Sequence, residues 1–313
     1  MEIDKLKNHL FIFEGKYMEW IENVKLIFTS TTGRSGTGYL ANLFNSNALN
    51  ATAEHDPLPT GYGEAIGWYD NSQEKKLDDL VRKKLKRLEL GRKLGKDFYN
   101  MPFWKQITRY KMKNPKSPIS YSIQIPIENI VPFVPILDVY LESTHSFIKS
   151  FGESMYKYVP YLSIIHITRN PLEMAKSFLN RNSIPSNNNP HLIDPEFKRN
   201  ELKIDIKMTD FQKCLWYWFE VELRHMNFIK NHDIKKIYDI DMHELNNKEK
   251  VVDMFDYFRI KHKEINLNLK KNKNPMETKV IKENMKEARV LLEKIPDWVF
   301  DKIKNTYNID NLI

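Results

Sequence analysis

Apolar residues along this chain fall into short continuous runs that alternate with longer stretches at 3- and 4-residue steps. The runs Val24 to Thr29 (VKLIFT), Ile136 to Leu141 (ILDVYL), Tyr161 to Thr168 (YLSIIHIT) and Lys235 to Ile240 read as strands, with a weaker one at Leu49 to Ala53. Tyr161 to Thr168 is almost unbroken in apolar character, as strands covered on both faces of a parallel sheet are. Between the runs, the spacing predicts helices over Thr37 to Asn45, Ser72 to Leu94, Pro171 to Arg181 and Met208 to Asn231. Another starts near Thr144, and three more fill the C-terminal part around a Lys/Asn loop at 261–274. On the Ser72 to Leu94 helix, Leu77, Leu80, Val81, Leu85 and Leu88 share one face. Asn170-Pro171 has the form of a helix start, an Asn cap followed by Pro at the first helical position. Asn182 to Pro195 reads as an irregular loop, and residues 57–130 include a Pro- and aromatic-rich stretch without a period. The alternation predicts an α/β protein with a central parallel sheet of four or five strands flanked by helices. A single domain over 1–313 is expected.

Composition narrows the class. An apolar fraction of 41% and a charged fraction of 29% exclude a wholly disordered chain. The single cysteine, Cys214, excludes an intrachain disulfide. No stretch approaches the ~18 uninterrupted apolar residues of a membrane-spanning helix. Met1 to Phe13 is interrupted by Glu2, Asp4, Lys5, Lys7 and His9, unlike the apolar core of a secretory signal. A soluble, cytoplasmic protein is the expectation, with its oligomeric state open. The net charge of +8 is concentrated in one place: Arg82 to Lys96 holds eight basic side chains and one acid, leaving +1 for the rest. A near-neutral body with one basic stretch is not the pattern of a specific nucleic-acid binder. That stretch reads as a solvated helix face, or as a dock for an acidic partner such as a glycan or an anionic membrane surface.

The chemistry concentrates at Thr31-Thr32-Gly33-Arg34-Ser35-Gly36-Thr37-Gly38-Tyr39-Leu40, between the first strand and the first helix. Three glycines in six residues let the backbone turn sharply and present its N–H groups, and the helix start adds its positive dipole end. Ser35 and Thr37 offer hydroxyls and Arg34 a forked cation, so the segment suits a multiply charged anion. A nucleoside-triphosphate P-loop would need Lys and Ser/Thr after Gly38, where Tyr39 and Leu40 stand. The G-x-G-x-x-G order of a dinucleotide site is absent too. No metal is expected in this protein, and at this loop the hydroxyl that binds magnesium is missing.

A P-loop-like turn without the parts that handle ATP resembles the 5′-phosphosulfate loop of bacterial-type sulfotransferases. Arg169-Asn-Pro-Leu-Glu-Met-Ala-Lys-Ser177 resembles the second element of that family, a strand-end Arg with a Ser eight residues on. Trp216, Trp218 and Glu220 are similar to its W-x-W helix, expected here as core. The strand Lys235 to Ile240, with Asp241-Met-His-Glu-Leu245 and the helix after it, is similar to the C-terminal half of the family. The likeness covers roughly residues 24–310, with 57–130 unmatched, which implies an insertion there that contributes to acceptor binding. It implies a P-loop-like sulfotransferase architecture and transfer of a sulfuryl group from 3′-phosphoadenosine 5′-phosphosulfate (PAPS), with PAP as product, an activity of the EC 2.8.2 type. It further implies that Gly33, Arg34, Ser35, Gly36, Thr37, Gly38 and Tyr39 hold the 5′-phosphosulfate, that Arg169 and Ser177 hold the 3′-phosphate, and that Arg34 stabilises the leaving group.

The acceptor, a small molecule, lipid or glycan, needs a base for its hydroxyl or amine. Asp56 is the first candidate, His55 the second and Glu54 the third, because His55-Asp56-Pro57 is similar to a His-Glu-Pro element of bacterial relatives. Glu142-Ser143-Thr144-His145 lies at the end of the third strand, where α/β sites form. His145 is a candidate contact for sulfate or acceptor, while Ser143 or Thr144 serves equally as a cap. His166, inside a strand, reads as a core histidine. Lys270-Lys271-Asn272-Lys273-Asn274 falls where relatives carry a segment over the nucleotide, or is a solvated loop. Two other readings stay open: a small-metabolite kinase, and a non-catalytic nucleotide- or nucleic-acid-binding module using the +7 segment with Phe98, Tyr99, Phe103 and Trp104.

Overall fold

A computed structural model describes residues 24–57, 62–100, 138–186, 189–269 and 279–303. Five strands form one sheet: β1 (Lys25–Ser30), β2 (Ala51–His55), β3 (Val139–Ser143), β4 (Ser163–Thr168) and β5 (Lys236–Asp241). Their spatial order is β2-β3-β1-β4-β5, and every pairing is parallel. The helices are α1 (Thr37–Asn47), α2 (Tyr62–Asp70), α3 (Glu74–Asn100), α4 (Gly152–Tyr158), α5 (Pro171–Leu179), α6 (Asp210–Asn231), α7 (Lys248–Tyr257), α8 (Lys282–Leu292) and α9 (Asp297–Ile303). The Pro- and aromatic-rich stretch beyond residue 100 and the segment 270–274 lie outside the described residues.

Strand alternation splits the core into two layers. Leu26, Phe28, Tyr140 and Ile164 point into a layer closed by α2 to α6, α8 and α9. Ile27, Leu141, Ile165 and Ile167 point into a second one closed by α1 and α7. Leu77, Leu80, Val81, Leu85 and Leu88 of α3 are all buried in the first layer, as their spacing predicts. Helix starts follow their local signals. Asn170 accepts from the amides of Leu172 and Glu173 at 3.0 and 3.1 Å. Thr209 and Gln212 form a capping box at the start of α6.

The chain leaves β1 through α1 toward β2 at one edge. It leaves β4 through α5 and α6 toward β5 at the other. The carboxyl ends of β1 and β4 are therefore adjacent strand ends whose connections diverge, the place where open α/β sheets form a crevice.

Three sequence expectations need correction. β2 runs to His55 rather than ending at Ala53, because its ladder with β3 continues through Glu54 opposite Glu142 and His55 opposite Ser143. Beyond β3 the chain does not enter an α-helix at once. It makes a wide π-helical turn, Phe147–Phe151, with Phe147 stacked on Phe28 at 4.8 Å between ring centroids. The basic segment is not wholly a solvated face. Lys84 and Arg87 are buried, and they pair with the two carboxylates that β2 and β3 set side by side. Lys84 Nζ donates to Glu142 Oε1 at 2.7 Å, and Arg87 forks onto Glu54, Nη1 reaching Oε1 at 3.0 Å. Tyr140 also donates to Glu54 Oε2 at 2.6 Å. Buried charge is tolerated here because each one is paired and hydrogen-bonded.

Candidate functional site

The loop after β1 uses the left-handed backbone region three times: Gly33 at φ 93°, Arg34 at φ 58° and Gly36 at φ 87°. A Cβ on Gly33 would lie 3.3 Å from His145 Cβ. One on Gly36 would lie 3.2 Å from Leu245 Cδ1. Glycine is needed at both positions, for conformation and for space. Gly36 is the cap residue of α1 and has no side-chain hydrogen bond. The first-turn amides of α1 thus lack a capping side chain, the condition under which a helix start favours an anion. Ser35 is fully buried and bonds Thr31 Oγ1 through its hydroxyl, so that group is turned into the protein. Thr37 is nearly buried in the first turn, followed by Gly38. The Tyr39 hydroxyl donates to Leu267 O at 3.0 Å.

Arg169, one residue past β4, reaches this loop. Its Nη1 donates to the carbonyl of Arg34 at 2.9 Å, and its Nη2 lies 3.6 Å from Glu173. Ser177, on α5, is buried. Arg34 Nε, Arg169 Nε and Ser177 Oγ are buried without a hydrogen-bond partner. Burial, with the guanidiniums of Arg181 and Arg169, pushes the pKa of Arg34 below its ordinary value. Burial likewise lowers Arg169, against the pull of Glu173. Arg34 and Arg169 thus bring two guanidiniums together at the loop, each with a buried Nε that has no partner. Arg181, twelve residues beyond Arg169, lies on the turn that closes α5 and was not among the sequence candidates.

β2 and β3 bring a second group to the same end of the sheet. Ser143 Oγ donates to the carbonyl of Thr37 at 2.8 Å, joining β3 to the start of α1. Thr144 is also engaged: Thr29 Oγ1 donates to its carbonyl at 2.6 Å and accepts from its amide at 2.7 Å. The carbonyl of Ser143 accepts from His55 Nδ1 at 3.0 Å and from the amide of Asp56 at 3.2 Å. A carbonyl can only accept, so His55 carries its proton on Nδ1, and Nε2 of the neutral ring is a lone pair. That nitrogen lies 3.5 Å from Asp56 Oδ2. Asp56 has φ 43°, a strained value for a non-glycine residue, and its Oδ1 is buried without a partner. Glu54, the third candidate base, is held in the Arg87 and Tyr140 network.

His145 packs on Gly33 and contacts Lys149 through Nδ1. Lys149, fully buried by the π-helical turn, also donates to Tyr217 OH at 2.7 Å. Tyr217 in turn donates to Thr32 O at 3.1 Å. The loop, His145 and α6 are thus joined by one buried relay. Burial pushes the pKa of Lys149 well below its ordinary value, although Asp56 pulls upward. Burial together with Lys149, His191 and His55 pushes His145 well below its own. Sequence reasoning missed Lys149 and Tyr217. The four-residue step from His145 to Lys149, one helical turn, was the available signal.

Trp216, Trp218 and Glu220 are core. Glu220 binds Arg224 at 2.6 Å and accepts from the amide of Leu202 at 2.8 Å. His166 is fully buried between two carboxylates. No helix among the described residues is long and apolar enough to cross a membrane.

No protein-family model matches the chain. No curated protein matches it either. Among solved structures the chain is similar to the sulfotransferase domain from the curacin biosynthetic pathway. The identity is 12%, the TM-score 0.39, and the likeness covers 87% of this chain and 99% of that one.

Proposed function

We propose that this chain is a sulfotransferase that moves the sulfuryl group of PAPS to a hydroxyl or amine of a small-molecule, lipid or glycan acceptor. The observation that carries the reading is the contact of Arg169 with the carbonyl of Arg34. It joins the loop after β1 to the end of β4, 135 residues apart in sequence, and the buried Nε of each arginine has no partner. Those donors fit the phosphates of such a nucleotide. Arg34, with the amides of Ser35 to Tyr39, would hold the 5′-phosphosulfate; Arg169 and Ser177 would hold the 3′-phosphate. Tyr39 and Leu40, in place of Lys and Ser/Thr, disfavour ATP with magnesium.

In the transfer, the acceptor oxygen or nitrogen bonds to sulfur as the bond from sulfur to the phosphate oxygen breaks. Charge grows on the departing phosphate, next to Arg34 and the loop amides. Each such donor is worth about 10²–10³ in rate. The acceptor proton passes to the His55–Asp56 pair, where Nε2 of His55 has a lone pair and Asp56 stabilises the imidazolium that results. A positioned base contributes about 10²–10⁴. His145 packs against Gly33 of the loop. When Lys149 is an ammonium it donates to His145 Nδ1. The ring proton then sits on Nε2, which makes His145 a donor to sulfuryl oxygens.

Thermal shift with PAP, with ATP plus Mg²⁺ and with single-stranded oligonucleotide tests the reading. A strong response to PAP alone is expected, lost in Arg169→Ala. A stronger response to ATP plus Mg²⁺ or to the oligonucleotide would replace it with a kinase or a binding module.

A further inference from the structure

One cluster takes no part in the anion crevice. His166 of β4 lies directly opposite Asp239 of β5 in the sheet, and both point into the layer closed by α6. His225 of α6 covers them, its ring stacked on that of His166 with centroids 3.8 Å apart. His166 Nδ1 and Asp239 Oδ1 are 2.8 Å apart. One ligating atom from each of the three residues lies within 4.8 Å of the other two. His225 is 1% exposed, and its Nδ1 has no hydrogen-bond partner. A buried imidazole nitrogen without a partner is costly. Nothing in the packing of the two rings accounts for it.

We propose that His166, His225 and Asp239 form a binding site for a divalent late first-row transition metal ion, Zn²⁺ first among them. Two imidazoles and one carboxylate are a donor set of borderline softness that such ions prefer over Mg²⁺ or Ca²⁺. The outer shell supports it. His166 Nε2 is 3.0 Å from Glu222 Oε2, itself buried, so Glu222 accepts the Nε2–H and leaves Nδ1 for the ion. A carboxylate behind a ligating histidine is the usual means of fixing its tautomer and orientation. On binding, the ion replaces the proton between His166 Nδ1 and Asp239 Oδ1, and that proton goes to solvent. The two rings turn from parallel toward a common apex. Asp239 is 58% exposed in its side chain, so water reaches the fourth position from that side. The ion would tie β4, β5 and α6 together beneath the strand ends.

The test uses the full, untagged chain, stripped with EDTA and titrated with Co²⁺ and then Zn²⁺. One equivalent of Co²⁺ should give the visible d–d absorption of a four-coordinate site, and Zn²⁺ should displace it and raise Tm reversibly. Asp239→Asn and His225→Ala should each abolish the band, and Glu222→Gln should weaken binding about 10–100-fold. Asp239 lies at the surface, so Asp239→Asn carries the test even where His225→Ala fails to fold. Absence of stoichiometric uptake, or an unchanged titration in Asp239→Asn, overturns the proposal. Neither result bears on PAP binding, which uses other residues.

Discussion

The guanidinium of Arg169 donates through Nη1 to the backbone carbonyl of Arg34 at 2.9 Å, while its Nε has no partner. One cation thus holds the left-handed turn of the loop and still has an unpaired N–H. Arg169→Ala should remove both effects and weaken PAP binding by at least tenfold, read by calorimetric titration. Arg169→Lys should not restore it, because a point charge cannot serve the carbonyl and a phosphate with a planar fork. Wild-type affinity in Arg169→Ala would sink the assignment.

The His55–Asp56 pair makes a kinetic prediction. Asp56→Asn and His55→Ala should each lower kcat by about 10²–10⁴ with little change in PAP affinity. Turnover near normal in both would place the base elsewhere.

The paired charges beneath the site predict stability rather than rate. Lys84→Ala leaves Glu142 buried opposite Glu54 and should cost about 3–5 kcal/mol in chemical denaturation. The double replacement Lys84→Met with Glu142→Leu should cost much less, since it removes both charges and keeps the volume. Equal losses in the two proteins would show that packing, not charge, controls this region.

Lys149 gives a pH prediction. Its folded pKa is pushed well below the unfolded 10.5, chiefly by burial. The unfolded chain therefore holds this proton more tightly, and stability rises with pH. The contribution is complete above 10.5 and is lost as pH falls through the lowered folded value. The stability of wild type relative to Lys149→Met should rise between neutral pH and 10.5. A flat difference would mean that the buried amine is not titrating in that window. Lys149→Met should also lower turnover by loosening His145 and the Tyr217 contact with Thr32.

Much of the fold was legible locally. The apolar run of β4, the Asn170-Pro171 start of α5 and the stripe from Leu77 to Leu88 are short-range patterns, and each element forms where its pattern lies. Strand ends were less legible. β2 extends to His55 only because β3 runs beside it, and no residue of β2 encodes that partner's length. The loop glycines were legible as an anion-binding turn, since positive φ is a property of the residue itself. The relay from His145 through Lys149 to Tyr217 was not. It depends on a π-helical turn that directs a lysine inward, and periodicity had given only a helix start near Thr144.

The order of apolar and polar residues by itself determined the α/β class, the face of α3 that is buried and the bend after β1, because these rest on backbone preference and nearest-neighbour spacing. Only the tertiary structure decided that Arg169 meets Arg34, that Lys84 and Arg87 of the basic stretch are neutralised inside the protein, and that His166, His225 and Asp239 converge. The reason is physical. Contacts between residues far apart in the chain follow from strand order and from which charges burial forces into pairs, and both are properties of the assembled sheet.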